Sequence, residues 1–366
     1  MKPLRFCSFL LALLLFFPAF VSAQAERLPG DLNGDGAHDA VDYLLLKAGI
    51  LARKKELPGG DLNGDGNVSA ADYLLLKAHI LGTYDLSLKI RVPSFAKTVF
   101  SALNGKTGKS FFSDLPSSEL TEEKKEALSS LQVLLTQTDF GFVCYDFETG
   151  HTLSCNAGTL FPTASVAKLP YAKYLCTLAD SGKIDFSETL VLQKSHITGG
   201  AGSLQFEPVG SKWSVEDLLR KLIIESDNTA YKLLLSRFGL TGYRSYLRSL
   251  GSTYSPSGSG FGSFSAGQIA ALLYDVACYR GKNASFLRDL GCHTDYKMQI
   301  PYALPGKTVL HKYGALGKND PAYHDVAVVY GSRPYLLVIL TKTDIESPDR
   351  DDPFWEITRL CDLLFG

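Results

Sequence analysis

The sequence predicts a mixed α/β protein of two units, one sizeable and one small, on three observations. Of its 366 residues, 45% are hydrophobic and 11% aromatic, enough apolar material for one large core and a lesser one. The stretch FGFVCYDFETGHTLSCNA, residues 140–157, alternates apolar and polar side chains around Glu148-Thr149-Gly150, the pattern of a β-hairpin. Just before it, ELTEEKKEALSSLQVLLTQ (119–137) has capping acids and apolar residues at i, i+3 and i+4, so a helix opens the larger unit.

The chain begins with Lys2 and Arg5, an almost wholly apolar run from Phe6 to Phe17, and Val21-Ser22-Ala23, which together read as a secretory leader over residues 1–23. A secreted, extracellular protein is expected. No later run is apolar for long enough to span a bilayer. Thirty-seven basic against 38 acidic residues, with no long like-charged block, argue against nucleic acid or an anionic membrane as the main partner and leave small molecules or proteins. Beyond the leader, Cys144, Cys155, Cys176, Cys278, Cys292 and Cys361 are widely spaced without a Cys-x-x-Cys pair, which disfavours zinc and leaves disulfides possible but unassigned.

The small unit is an internal repeat. GDLNGDGAHDAVDYLLLKAGIL from Gly30 recurs as GDLNGDGNVSAADYLLLKAHIL from Gly60, a period of 30 with 17 of 22 positions identical. Oxygen-bearing residues recur at loop positions one, three, five and twelve: Asp31, Asn33, Asp35 and Asp42, then Asp61, Asn63, Asp65 and Asp72. Asp39 and Ser69 stand at position nine and Gly36 and Gly66 at six. Hard oxygen ligands at this spacing with a glycine for the sharp turn make the calcium loop of an EF-hand, so two calcium ions are expected. Position twelve is Asp rather than Glu, and too few residues precede the first loop for an entering helix. Loop plus exiting helix, duplicated over residues 27–84, resembles a type I dockerin. That resemblance implies a cohesin module of a scaffoldin as partner, as in a cellulosome, contacted through Ala40, Val41, Ala70 and Ala71 with Lys47 and Lys77 nearby. Residues 85–118, mixed in composition with a strand-like LSLKIRV, read as a linker with some structure, and residues 119–366 as the larger domain.

The chemistry of the larger domain centres on FPTASVAKLPYAKYL, Phe161 to Leu175. If a helix begins at Thr163 or Ser165, Ser165 and Lys168 share one face within hydrogen-bond reach. A desolvated lysine there loses its proton and takes the hydroxyl's, making an activated nucleophile. Alone, Ser-x-x-Lys also fits a surface lysine beside a capping serine. Two further segments weigh against that: Ser226-Asp227-Asn228 before the apolar helix pattern NTAYKLLL, and Lys312-Tyr313-Gly314 in the strand-like TVLHKYGALG.

Ser-x-x-Lys, Ser-Asp-Asn and Lys-[Ser/Thr]-Gly in this order are the signature of penicillin-recognising serine hydrolases. The chain resembles the class A β-lactamase family over residues 119–366. The resemblance implies an α+β sandwich of antiparallel sheet flanked by helices, with an all-helical subdomain, and no cofactor for catalysis. It makes Ser165 the acylated nucleophile, Lys168 its base or relay, Ser226 the proton donor to the leaving group, Asn228 the holder of the substrate amide and of Lys168, and Lys312 a positive charge near the substrate carboxylate. Tyr313 and Gly314 line the substrate, and the backbone amides of Ser165 and of Ala315 or Leu316 form an oxyanion hole. Small-molecule or peptide substrates resembling acyl-D-Ala-D-Ala, β-lactams included, follow. The rival is a non-catalytic or merely penicillin-binding module delivered by the dockerin.

Departures from that family are informative. Tyr313 stands where Ser or Thr is usual, which displaces a carboxylate-binding hydroxyl outward. No Glu occurs between Glu225 and Glu346, and the omega-loop region offers only GSTYSPSGSGFGSFSAGQ. The deacylating base is missing, so acylation without rapid release is expected. Asp275 reads as a cap or surface acid rather than a substitute. Near the place of the family's carboxylate-binding Arg stand Tyr323 and His324; His324 reads as a solvated strand-edge residue, with a part in carboxylate binding as the alternative, His311 as packing or tuning Lys312, and the Gly-rich ITGGAGSLQF (197–206) as a rim loop of the cleft.

Overall fold

The structure, a computed structural model, describes residues 29–35, 37–54, 57–62, 67–80, 84–85, 90–91, 102–103, 106–317, 321–347 and 349–366. The leader expected at 1–23 and the loop residues Asn63 and Asp65 lie outside them. The chain divides into two compact units, Met1–Lys77 and Ala78–Gly366.

In the first unit each repeat makes one helix, α1 (Ala40–Leu51) and α2 (Ala70–Ile80). Both are capped in the same way. The Asp39 carboxylate accepts from Val41 N at 2.7 Å while Asp42 reaches back to Asp39 N at 3.0 Å, a reciprocal capping box. In the second copy Asp72 accepts from Ser69 N at 2.7 Å and Ser69 Oγ from Ala71 N at 3.1 Å. The sequence repeat becomes a spatial one: Leu32, Leu46, Leu62 and Leu76 are all buried, and Tyr43 stacks on Tyr73 with centroids 4.2 Å apart. Gly49 packs closely on Leu57, where a Cβ would sit 2.7 Å from Leu57 Cδ2.

The second unit runs β1 (Tyr84–Asp85), β2 (Ile90–Arg91), β3 (Phe111–Ser113), α3 (Glu122–Gln137), β4 (Gly141–Asp146), β5 (Thr152–Cys155), β6 (Leu160–Pro162), α4 (Lys168–Asp180), β7 (Thr189–Val191) and β8 (Lys212–Ser214). It continues α5 (Val215–Ile223), α6 (Asn228–Phe238), α7 (Thr241–Ser249), β9 (Ser263–Ser265), α8 (Ala266–Ala277), α9 (Ala284–Cys292) and α10 (Ile300–Ala303). It ends β10 (Thr308–Leu316), β11 (Ala322–Tyr330), β12 (Tyr335–Thr341) and α11 (Asp352–Phe365). The predicted opening helix is α3, capped by Thr121 Oγ1 accepting from Lys124 N at 3.3 Å. The predicted hairpin is β4–β5, turning at Gly150 with φ 81°, a conformation that favours glycine.

Six strands form one antiparallel sheet in the order β10-β11-β12-β4-β5-β3. Alternate residues of its central strands feed two cores, as the two-residue period of a strand requires. Val143, Val326, Val328, Leu336 and Val338 join a core in which α8 and α9 pack on the sheet and α4, α5 and α6 lie beyond them. Phe142, Cys144, Ala327, Val329, Leu337 and Ile339 join the face covered by α3 and α11. This is the flanked antiparallel sandwich expected from the sequence. Part of the stretch read as a linker belongs to it: β3 is one of the sheet's two edge strands, and Leu103 is buried in the main core.

The six cysteines of the described residues are free thiols. No helix among the described residues is long and apolar enough to cross a membrane.

Candidate active site

The chain leaves β6 at Pro162 and makes a 3₁₀ turn, Ala164–Ala167, that runs directly into α4. Ala164 is held at φ 43°, a left-handed backbone uncommon for a residue with a Cβ, immediately before half-buried Ser165. One turn on, fully buried Lys168 directs its ammonium nitrogen back to Ser165 Oγ at 3.0 Å. The same nitrogen donates to Asn228 Oδ1 at 2.7 Å and to Ser226 O at 2.5 Å, and lies 3.4 Å from Ser226 Oγ. Burial drives its pKa down to about 7 against the opposing pull of Asp227, so a large share of the lysine is neutral at physiological pH. Its helix is held in place by Tyr171, whose ring meets Tyr231 of α6 and Tyr243 of α7 edge-on at 5.5 and 5.2 Å.

Ser226 also has a left-handed backbone, φ 58°, which lets both its carbonyl and its hydroxyl meet Lys168. Asp227 then caps α6. Its carboxylate accepts from Ala230 N at 2.8 Å and from Leu204 N at 2.7 Å, so it fastens the Gly-rich loop as well as the helix. That loop packs directly on the motif: Asn228 donates its backbone N–H to Ala201 O and its amide to Gly199 O. A Cβ on Gly202 would lie 2.2 Å from the Asp227 carboxyl carbon. Of the stretch read as a rim loop, Thr198 lines the cleft while Gly199 to Leu204 mainly brace the Ser-Asp-Asn turn.

Lys312 lies within β10. It is fully buried, and its nitrogen donates to Ser226 Oγ at 2.9 Å and to Tyr313 O at 3.0 Å. Burial, and then the nearby Lys168, hold its pKa well below the ordinary lysine range, with Asp325 pulling the other way. Tyr313 is half-buried rather than displaced into solvent. Its ring packs at a tilt against Tyr296 with centroids 4.4 Å apart, covers the Lys312 ammonium at 4.3 Å, and its hydroxyl is drawn to Ser226. Gly314 is pressed against the nucleophile turn, for a Cβ there would be 2.8 Å from Ser165 N and 2.9 Å from Val166 N. Ala315 and Leu316 follow along the cleft wall. Ser165, Lys168, Ser226, Asn228, Lys312, Tyr313, Gly314, Ala315 and Leu316 thus converge from three distant segments.

The cleft beside Ser165 has a volume of about 760 Å³ and is walled by Tyr231, Leu235 and Phe261. Among the described residues lining it there is no Asp or Glu. The glycine- and serine-rich segment supplies Gly258, Ser259, Phe261 and Gly262 to the wall instead. Asp275, read from sequence as a cap or surface acid, is neither: it forms a partly buried pair with Lys173 at 2.8 Å and accepts from Tyr246. His324 is likewise not solvated. It is fully buried on β11, with Nε2 2.8 Å from Pro162 O and Nδ1 accepting from Thr341 N at 3.1 Å. Burial lowers its pKa to about 4 against the opposing pull of the Pro162 carbonyl, so the ring is neutral, and the imidazole pins the strand before the nucleophile to the sheet. His311, read from sequence as packing or tuning Lys312, is buried between Asp325 at 3.0 Å and Thr294. Those two partners were missed, because the cross-strand pairing that brings Asp325 beside Tyr313 has no signature in the chain.

In the first unit, one oxygen from each of Asp31, Asp35 and Asp42 lies within 4.8 Å of the others, with Asp31 and Asp42 buried. Three carboxylates so close are mutually repulsive without a cation, and the hard-oxygen set fits calcium. Asn33 donates to Asp35 at 2.7 Å and is exposed, and Asp39 serves as the cap of α1. Asp61 and Asp72 hold the corresponding places in the second loop, where buried Asp72 accepts from Leu62 N at 2.7 Å just as Asp42 accepts from Leu32 N.

Comparison with known proteins agrees with both units. Residues 125–362 match the Beta-lactamase enzyme family, and residues 29–81 and 59–92 match the Dockerin type I domain. Comparison with curated proteins yields no match. Among solved structures, a variant of PBP-A captured as an acyl-enzyme with penicillin G is similar with a TM-score of 0.59 and 21% identity, over 67% of this chain and 97% of that one. The β-lactamase of Sphaerobacter thermophilus gives 0.57 and 20% over 65% and 94%, and an ancestral class A β-lactamase 0.57 and 22% over 66% and 100%. With the greater part of its length matched and a serine, a buried lysine and their partners gathered on one cleft, this chain belongs to the beta-lactamase enzyme family of serine hydrolases and carries a type I dockerin domain.

Proposed function

We propose that the protein is a secreted, scaffold-tethered serine hydrolase that forms an acyl-enzyme at Ser165 with β-lactams or with acyl-D-Ala-D-Ala-like amides and esters, and releases the acyl group slowly. The observation that carries this reading is the 3.0 Å contact between Ser165 Oγ and a lysine whose pKa is about 7. Neutral Lys168 takes the hydroxyl proton as Oγ attacks the carbonyl carbon. The oxygen that gains charge is received by the backbone N–H of Ser165 and of Ala315 or Leu316. Ser226, joined to both lysines, passes a proton to the departing nitrogen or oxygen. Asn228 orients the substrate amide while holding Lys168.

Slow release follows from the absence of an acid among the described cleft residues, since no carboxylate is there to activate the second water. The PBP-A variant caught as an acyl-enzyme with penicillin G has the same fold, which recommends penicillin as a probe. In the first unit, two calcium ions, held by Asp31, Asn33, Asp35, Asp39 and Asp42 and by Asp61, Asn63, Asp65 and Asp72, would order the loops for a cohesin. The exposed Val41, Leu44, Leu45 and Leu74 offer that partner an apolar surface.

The test is incubation with a fluorescent penicillin. A covalent band that persists for hours and vanishes with Ser165→Ala is expected. An unlabelled wild type overturns the hydrolase reading in favour of a binding module, and rapid loss of label overturns slow release.

A further inference from the structure

The cleft is electrostatically lopsided. Of the described residues that line it, Lys232 alone carries a charge; the other polar ones, Thr163, Ser165, Thr198, Asn228, Ser236 and Ser259, are neutral. Lys232 is exposed and forms no ion pair among the described residues. The acids that touch α6 are committed elsewhere: its cap Asp227 accepts from two backbone amides, and Glu188 is bound to Arg237 at 2.5 Å. His196, whose pKa is lowered by burial and then by Lys232, accepts from Gln193 N through Nδ1 and lies 3.2 Å from Ser236 Oγ, so it adds no charge.

Helix α6 sets the spacing. Asn228, Tyr231, Lys232, Leu235 and Ser236 fall on one face of it, three or four residues apart. At 1.5 Å per residue, Lys232 stands about 6 Å along the helix from Asn228. The wall beside it is apolar and rigid, for Tyr231 donates its hydroxyl to Gly260 O at 2.9 Å and meets Phe261 edge-on at 5.2 Å. Beside Ser226, where Lys312 would attract an anion, that lysine is fully buried, weakened in charge and roofed by Tyr313.

We infer that the enzyme selects acyl donors whose side chain pairs an apolar body with a carboxylate, the body lying on Tyr231, Leu235 and Phe261 and the carboxylate meeting Lys232. The inference rests on Ser165 being the acylated residue. Lys232 is a specificity residue with no part in the bond-making step. An exposed pair of this kind changes rates modestly and fades with salt.

The experiment compares acylation rates of two penicillins with the same phenyl side chain, one bearing a carboxylate on that side chain and one without. In wild type at low ionic strength the penicillin with the side-chain carboxylate reacts about two- to fivefold faster, the range an exposed charge pair supplies. The ratio falls to about one in Lys232→Gln and below one in Lys232→Glu, and molar salt erases it in wild type. Because each ratio is taken within one variant, differences in folding cancel. A wild-type ratio of one or less, or a ratio unmoved by both substitutions, overturns the inference while leaving Ser165 acylation intact. Failure of both penicillins to acylate removes the Ser165 reading and this inference with it.

Discussion

Lys168 Nζ stands 3.0 Å from Ser165 Oγ on a side chain with no exposed surface. Burial costs the charged form, and the pKa of about 7 is the result. The neutral form is the base, so acylation of Ser165 is expected to be slow at pH 5, half-maximal near pH 7 and flat above pH 8. A pH profile of penicillin labelling checks this, and a profile level across pH 5–8 contradicts it. Lys168→Ala is expected to lower the acylation rate at least about 10³-fold.

Gly314 bears on the same turn from the other side. A Cβ there would lie 2.8 Å from Ser165 N and 2.9 Å from Val166 N, both backbone atoms that cannot swing aside. Gly314→Ala should therefore push the nucleophile out of line and cut acylation by about 10²-fold, the usual penalty for misplacement of about 1 Å. Single-turnover labelling reads it; an unchanged rate would show that the turn relaxes freely.

Asp275 is bound to Lys173 and Tyr246, not to the cleft. Asp275→Asn leaves a mostly buried lysine without its counter-charge and should cost about 1–3 kcal/mol of stability. The half-life of the acyl-enzyme should stay the same. A change in that half-life at equal folded fraction would make Asp275 part of deacylation after all.

His324 predicts an acid limb in stability. Its folded pKa of about 4 lies below the ordinary 6.5, so the unfolded chain binds the proton first as pH falls. Stability from this group is complete above pH 6.5 and is lost progressively between 6.5 and about 4, to a total of about 3 kcal/mol. His324→Gln, which can still meet Pro162 O and Thr341 N, should flatten that limb in denaturant titrations over pH 4–7.

The calcium loops should make the first unit's stability depend on the ion. Calcium at a hundred times its dissociation constant adds about 2.7 kcal/mol by mass action, removable with a chelator. Asp42→Ala should remove more than loss of a ligand alone, because Asp42 also accepts from Leu32, Asn33 and Asp39 backbone N–H groups. Calcium-dependent melting of wild type and variant checks this, and an unresponsive wild type would discard the loops as ion sites.

Much of the fold was legible in the chain because its signals are local. The hairpin at Gly150, the Thr121-capped helix and the duplicated Asp-rich loops each depend on residues a few positions apart. His324, Asp275 and Tyr313 were misjudged for the opposite reason. Their surroundings come from β6, β12, α4 and α7 or from Tyr296, all remote in sequence, so solvent exposure could not be judged from neighbours along the chain.

The amino-acid order by itself determined which reactive groups exist and their local spacing, since the one-turn offset of Ser165 and Lys168 follows from helix geometry. Tertiary structure alone set the distances at which Ser226 and Lys312 join them and buried Lys168 deeply enough to shed its proton, while the cleft without an acid among its described residues follows the lack of Glu between Glu225 and Glu346. Helical spacing is set by bonds along the backbone, whereas desolvation and long-range contact arise only when distant segments exclude water together.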